Sequence, residues 1–368
     1  MMDADNKKHA NDRALIYNPI NEAKEILMIE KAASRIRVIK AFDFEKPDMV
    51  PIEHHPSTRG YFDYGEGMRE LFKAFPADFG DVSNIEIPVI PDYAYDKDGK
   101  YYEERYDEWG IKWAFRIFQI QGHPIERPLD DLSKLDSYKL PPVQYSGEDF
   151  QKGITEHKRK FYAMKGAFTL FERMTALRLF EDVLMDMYMD TPEINRLADM
   201  ITDYYMKGID NLIKADVDCV AFGDDFGTQT GLLISPDIFR RFLKPRYVRM
   251  INRVKEAGKK VHFHSCGANI ELIDEIADMG IDSYWPQLTA YNLPELAAVL
   301  KKKKIAIALH FRGETMNFLS PQELRERIIE TAEIFDVKNG GGWFYIEVDD
   351  GFPYENTRAL FETIDQIR

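Results

Sequence analysis

Short apolar runs rich in β-branched and aromatic residues alternate with longer amphipathic stretches through most of this chain. Seven runs have the length and content of buried strands: residues 49–55, 160–166, 217–225, 259–265, 281–286, 305–311 and 342–348. Most are separated by segments whose apolar positions recur at three- and four-residue spacing, which predicts helices. Strands alternating with helices imply parallel strands joined by crossovers. Sustained over the second half of the chain, the alternation predicts a (β/α)8 TIM-type barrel rather than an open sheet.

Helix-start chemistry supports this reading. Ser320-Pro321-Gln322-Glu323 offers an N-cap serine, a proline at the first helical position and a glutamate at the capping-box spacing. Asn292 and Glu295 share that spacing, and Thr191-Pro192 and Ser235-Pro236 also start helices. Toward the N-terminus the pattern weakens. Residues 1–20 read as a polar arm, and residues 21–42 as a helix with Ile26, Ile29, Ala33, Ile36 and Ile39 near one face. The expected organisation is therefore an N-terminal helical and irregular extension over 1–42 and a single barrel domain over 43–368. Residues 43–155 are rich in proline and aromatics, with paired strands expected over 103–118 around Trp109 and Trp113.

Charge narrows the function classes. The 368 residues carry 49 basic and 63 acidic side chains, a net charge of −14. That balance argues against a sequence-independent nucleic-acid binder and against an anionic membrane surface. The two cysteines, Cys219 and Cys266, cannot form a disulfide framework and suit a reducing compartment. No apolar run reaches the roughly 18 residues of a spanning helix, and the first residues do not read as a signal peptide, so a cytoplasmic location is expected. No G-x-G-x-x-G follows a strand run, which removes the main support for a dinucleotide fold.

In a barrel, chemistry gathers at the carboxyl ends of the strands. The residues closing the runs are Glu53, His54 and His55; Lys165; Asp224 and Asp225; His264 and Cys266; Trp285 and Gln287; His310 and Arg312; and Glu347, Asp349 and Asp350. His264 and Cys266 are two apart, so an extended chain turns an imidazole and a thiolate to one side. These are suitable Zn²⁺ ligands. His262 lies deeper in its run, and Cys219 reads as a small buried hydrophobe. With no further cysteine, a third ligand should be a carboxylate from the last run, Glu347 first and Asp349 second. Asp224 and Asp225 sit between glycines; one of them is a candidate general acid, or the pair caps the loop that follows.

The chain resembles the uroporphyrinogen decarboxylase superfamily, most strongly over about 160–310. The resemblance is carried by LFERMTALRLFEDVLMDM, GDDFGTQTGLLISPDIFRRFLKPRY and VHFHSCGANIELIDEIADMGIDSYWPQ, with weaker echoes at 102–113 and at PYEN (353–356). It implies a (β/α)8 barrel and two possible activities. One is cofactor-free decarboxylation of a tetrapyrrole. The other is methyl transfer to or from a corrinoid protein, with zinc bound by His-x-Cys and a further ligand. The arginine-rich R-Q-A-G-R-Y type segment of the decarboxylases is missing; the equivalent region reads IEHHPSTRGYFDYGEGMRE, with Arg59 and Arg69. The His-x-Cys of the methyltransferases is present. The second cysteine that thiol-directed members place near the last strand is not, since YIEVDDGFPYEN has none. An oxygen ligand leaves a more Lewis-acidic metal, which favours an O-methyl donor, such as a methoxylated aromatic, over a thiol. No D-x-H-x-x-G motif occurs, so the corrinoid is expected on a separate protein. On this reading His264, Cys266 and Glu347 hold Zn²⁺, and Asp225 or Tyr291 donates a proton. Trp285, Gln287, His310, Phe226, Phe311 and Arg312 contact substrate. A homodimer is left open, and a non-catalytic ligand-binding barrel is the remaining alternative.

Overall fold

The structure, a computed structural model, describes residues 34–368. Of the helix expected over 21–42, residues 34–42 are described and are helical. The rest of that helix and the 1–20 arm lie outside the described residues. All seven expected strand runs form strands: β1 (Ile52–His54), β5 (Met164–Phe168), β6 (Cys219–Gly223), β7 (Lys260–Ser265), β8 (Ser283–Pro286), β9 (Ala306–His310) and β10 (Gly342–Ile346). They make one parallel sheet in the order β1-β10-β9-β8-β7-β6-β5. Between them in sequence lie β2 (Glu103–Tyr106), β3 (Lys112–Phe115) and β4 (His123–Glu126), a separate antiparallel sheet. Two of its strands fall where paired strands are expected; β4 is additional.

The fold is a (β/α)8 TIM-type barrel whose eighth position is irregular. Between β1 and β5 the chain around Asp78 makes a single-residue stitch. Its N–H donates to the Ile52 carbonyl at 2.7 Å, and its carbonyl accepts from the Tyr162 N–H at 3.4 Å. The Asp78 carboxylate also accepts from the Ile52 N–H at 2.9 Å and pairs with Arg37 and Arg368. The lower end of the lumen is closed by the helix over 34–42. Phe42 stacks on Tyr162 and Trp343, with ring centroids 5.2 and 4.9 Å apart. Cys219 is fully buried in this cluster, as a small hydrophobe.

The helix starts are formed as their residues dictate. Ser320 and Glu323 make a reciprocal capping box. Asn292, Thr191 and Ser235 each accept from the N–H three residues on. No helix among the described residues is long and apolar enough to cross a membrane.

Alternation along β1 turns Glu53 into the lumen and His54 outward. His54 is buried beneath Phe72 and Phe361, at centroid distances of 4.7 and 5.4 Å. Burial, reinforced by the Arg368 charge, pushes its pKa down to about 3. An unfolded-chain histidine takes up its proton near pH 6.5. The stability that neutral His54 contributes is therefore complete above pH 6.5 and is lost as pH falls toward 3. Between pH 7 and pH 5 the loss should be about 2 kcal/mol. Urea unfolding at the two pH values should show His54→Phe losing about 2 kcal/mol less than wild type; equal losses would refute the assignment.

Candidate metal centre at the barrel mouth

Parallel register sets the site. Gly223 on β6 pairs with His264 on β7, so two residues further on Asp225 stands level with Cys266. The Cys266 N–H donates to Asp225 Oδ1 at 2.8 Å. His264 Nε2 lies 3.3 Å from Cys266 Sγ and 3.6 Å from Asp225 Oδ1. One ligand atom from each of Asp225, His264 and Cys266 falls within 4.8 Å of the others, making this the metal-competent cluster among the described residues.

The donor set fits zinc. Tetrahedral ligands at Zn–N and Zn–O of about 2.0–2.1 Å and Zn–S of about 2.3 Å stand roughly 3.3–3.8 Å from one another. The His264 separations match. His264 Nδ1 lies 2.8 Å from the Trp285 carbonyl. A carbonyl only accepts, so Nδ1 carries the proton and Nε2 turns its lone pair to Sγ and Oδ1. Burial also lowers the His264 pKa, which keeps the ring in its ligating neutral form. Burial, reinforced by Asp225, pushes the Cys266 thiol up to about 12, against the pull of Arg312. A thiolate beside a carboxylate in this place calls for a cation, and a divalent ion brings the set to neutrality.

The turn after Cys266 is held by backbone contact. Gly267 has φ +84°, and a Cβ there would lie 2.2 Å from the Gly227 backbone. Gln287 braces the same turn: its Oε1 accepts from the Gly267 N–H at 3.0 Å, and its Nε2 donates to Gln229 at 2.9 Å and Glu314 at 2.8 Å. It is committed to the loop, not open to a ligand.

Glu347 is placed elsewhere in the mouth. It extends from β10, whose neighbours are β9 and β1, and it faces His310 and His55. Its carboxylate oxygens are 3.4 Å from His55 Nδ1 and 3.8 Å from His310 Nε2. The carboxylate in the metal-competent cluster is thus Asp225, not Glu347, and the reserve residue Asp349 is not in that cluster either. Arg312 is brought onto the cluster, with Nη1 2.6 Å from Cys266 Sγ.

The aromatic expectations divide. Trp285 is at the mouth, its ring centroid 4.0 Å from His264, 4.3 Å from Tyr345 and 5.4 Å from His310. Phe226 and Phe311 are not brought there. Phe226 is fully buried against Phe239, Tyr247 and Phe263, and Phe311 is buried in the same outer core. Tyr291 has its hydroxyl 3.0 Å from that of Tyr284, and burial raises its pKa.

The adjacent acids also part company. Asp224 is fully buried and accepts from Tyr247 and from the N–H groups of Phe171 and Glu172, capping the helix Leu170–Leu177 rather than its own loop. His55, one of the run-closing residues, stands at the mouth beside Glu347, and Tyr345 joins it from outside the expected set. Tyr345 precedes Glu347 by the same-face step of two, a signal present in the sequence.

No curated protein sequence matches this chain significantly. Among solved structures, a methyltransferase from Methanosarcina mazei superposes with a TM-score of 0.60 at 14% identity, covering 90% of this chain and 98% of that one. A B12-independent methionine synthase from Shewanella sp. W3-18-1 gives 0.42 at 10% identity, with 87% and 93% covered. The sequence model of the uroporphyrinogen decarboxylase (URO-D) family matches residues 123–366. With that match over most of the barrel, the chain belongs to the URO-D family.

Proposed function

We propose that this protein is a zinc-dependent methyltransferase that takes a methyl group from an O-methyl compound, in particular a methoxylated aromatic. The acceptor in this reading is the Co(I) corrinoid of a separate protein. The observation that carries it is the His264–Cys266–Asp225 cluster at the mouth of a URO-D family barrel. The decarboxylase alternative needs arginines free to meet substrate carboxylates. Arg59 is engaged by Asp63 and Asp350, and Arg69 by Glu66 and the Ile85 carbonyl. The M. mazei neighbour is a methyltransferase of similar fold, which agrees with the reading.

His264, Cys266 and Asp225 would hold the ion. Zinc bound there supplies Lewis acidity that stabilises negative charge on a departing oxygen. The chain's own groups do the rest. Trp285, half-buried at the mouth, offers a flat ring against which an aromatic substrate can lie. The Trp285 carbonyl fixes the His264 ring, and Gln287 fixes the turn that carries Cys266. Arg312 places a positive charge beside the thiolate.

The test is spectroscopic. Co(I) corrinoid protein mixed with a methoxyarene should convert to the methyl-Co(III) form only when this protein is added. Reaction with methylated amines or thiols and no ether would overturn the substrate class. Release of CO₂ from a porphyrinogen by zinc-free protein would overturn the reading altogether.

A further inference from the structure

His310 ends β9 with its side chain only 4% exposed. Its Nδ1 lies 3.2 Å from the Trp285 indole nitrogen. An indole N–H can only donate, so Nδ1 must be the bare, accepting nitrogen. The proton of the neutral ring is then on Nε2, and protonating both nitrogens would set two N–H groups against each other. Nε2 is buried and has no hydrogen-bond partner among the described residues. Leaving a buried donor unmade is costly, and native interiors rarely do so without a purpose. Glu347 Oε2 stands 3.8 Å away, beyond hydrogen-bond reach.

We propose that His310 is a substrate-contacting residue: a neutral imidazole, locked in its Nε2–H form by Trp285, whose free N–H receives the oxygen of the methyl-donating substrate. This rests on the O-methyl reading above and assigns that oxygen its protein partner. The N–H bond stays intact throughout. As the C–O bond to the methyl breaks, its electron pair remains on oxygen, and the hydrogen bond strengthens with the growing charge. A donor of this kind, preorganised and kept from water, acts mainly in the transition state. Trp285 is the positioning residue. Its carbonyl sets the tautomer of His264 and its indole sets that of His310, so one side chain and its backbone orient both rings.

The test uses zinc-loaded protein with ¹⁵N-labelled histidine, the His310 resonances being assigned by their loss in His310→Gln. Wild type should show His310 protonated on Nε2 and bare on Nδ1. Adding 2-methoxyphenol, a demethylated product of the proposed class, should shift the Nε2–H proton. In Trp285→Phe the single tautomer should give way to a mixture. In the coupled assay His310→Phe should lower kcat roughly 100-fold with zinc content unchanged, whereas His310→Gln, which retains an N–H near the same place, should stay within about tenfold of wild type. An Nδ1–H or doubly protonated His310, or an Nε2–H signal indifferent to the phenol, overturns the proposal. Tautomer and phenol binding are read without corrinoid. Failure of methyl transfer with these signatures intact would therefore remove the function reading alone, and methyl transfer with the wrong tautomer would remove only this one.

Discussion

His264→Ala and Cys266→Ala proteins are expected to purify with little zinc, against about one ion per chain in wild type. Methyl transfer in both should fall about a thousandfold or more, the equivalent of roughly 4 kcal/mol of transition-state stabilisation. The fall should be in kcat much more than in KM, because the ion acts on charge that exists only as the bond breaks. Asp225→Asn is the sharper variant. Asparagine keeps an oxygen to accept from the Cys266 N–H, so the turn survives while the anionic donor is lost. Zinc occupancy should drop in Asp225→Asn and hold in Glu347→Gln, with circular dichroism showing both folded. The opposite pattern would return the third position to Glu347. Full zinc in the His264 and Cys266 variants would end the metal assignment.

Asp78→Ala should destabilise the protein by about 3–5 kcal/mol, the cost of removing one partner from a buried ion pair. Asp78 and Arg368 have side chains only 2% and 4% exposed, and Arg37 is 11% exposed. Alanine would leave two guanidinium groups short of their shared anion and the Ile52 N–H without its side-chain acceptor. Asp78→Asn should recover part of the loss by restoring an acceptor for Ile52. Urea unfolding followed by tryptophan fluorescence measures both. A loss below about 1 kcal/mol in the alanine variant would mean that this cluster does not hold the barrel closed.

Most of the parallel strands were legible because they are buried on both faces and read as short apolar runs, β9 and β10 throughout; β5 departs from this, with Lys165 and Ala167 exposed. The helix starts were legible because a cap is local chemistry: Ser320 and Glu323 need only each other. β4 was not, since His123–Glu126 is largely exposed and contains a proline. Nor was the eighth barrel position, where one residue, Asp78, substitutes for a strand with no apolar run to mark it. At the site, alternation placed His264 and Cys266 on one side. Choosing the carboxylate required knowing which strands are neighbours. β6 adjoins β7 and brings Asp225 level with Cys266, whereas β10 lies three places along the sheet from β7 and gives Glu347 to His55 and His310. Phe226 follows Asp225 directly, and the reversal of side at each step sends it to the outer core.

The irregular eighth position makes the barrel wall anisotropic. Everywhere else around the ring, neighbouring strands share ladders of bonds, but between β1 and β5 the described residues join the wall at Asp78 alone. Fluctuations of the cylinder will concentrate along that line, and amide exchange should report it. The edge of β5 toward the stitch will exchange its hydrogens sooner than the edge paired with β6, and β7 and β8, which carry His264 and Trp285 on the opposite side of the ring, will be the slowest. The ligand side of the mouth is thereby expected to be the slow-exchanging side of the ring.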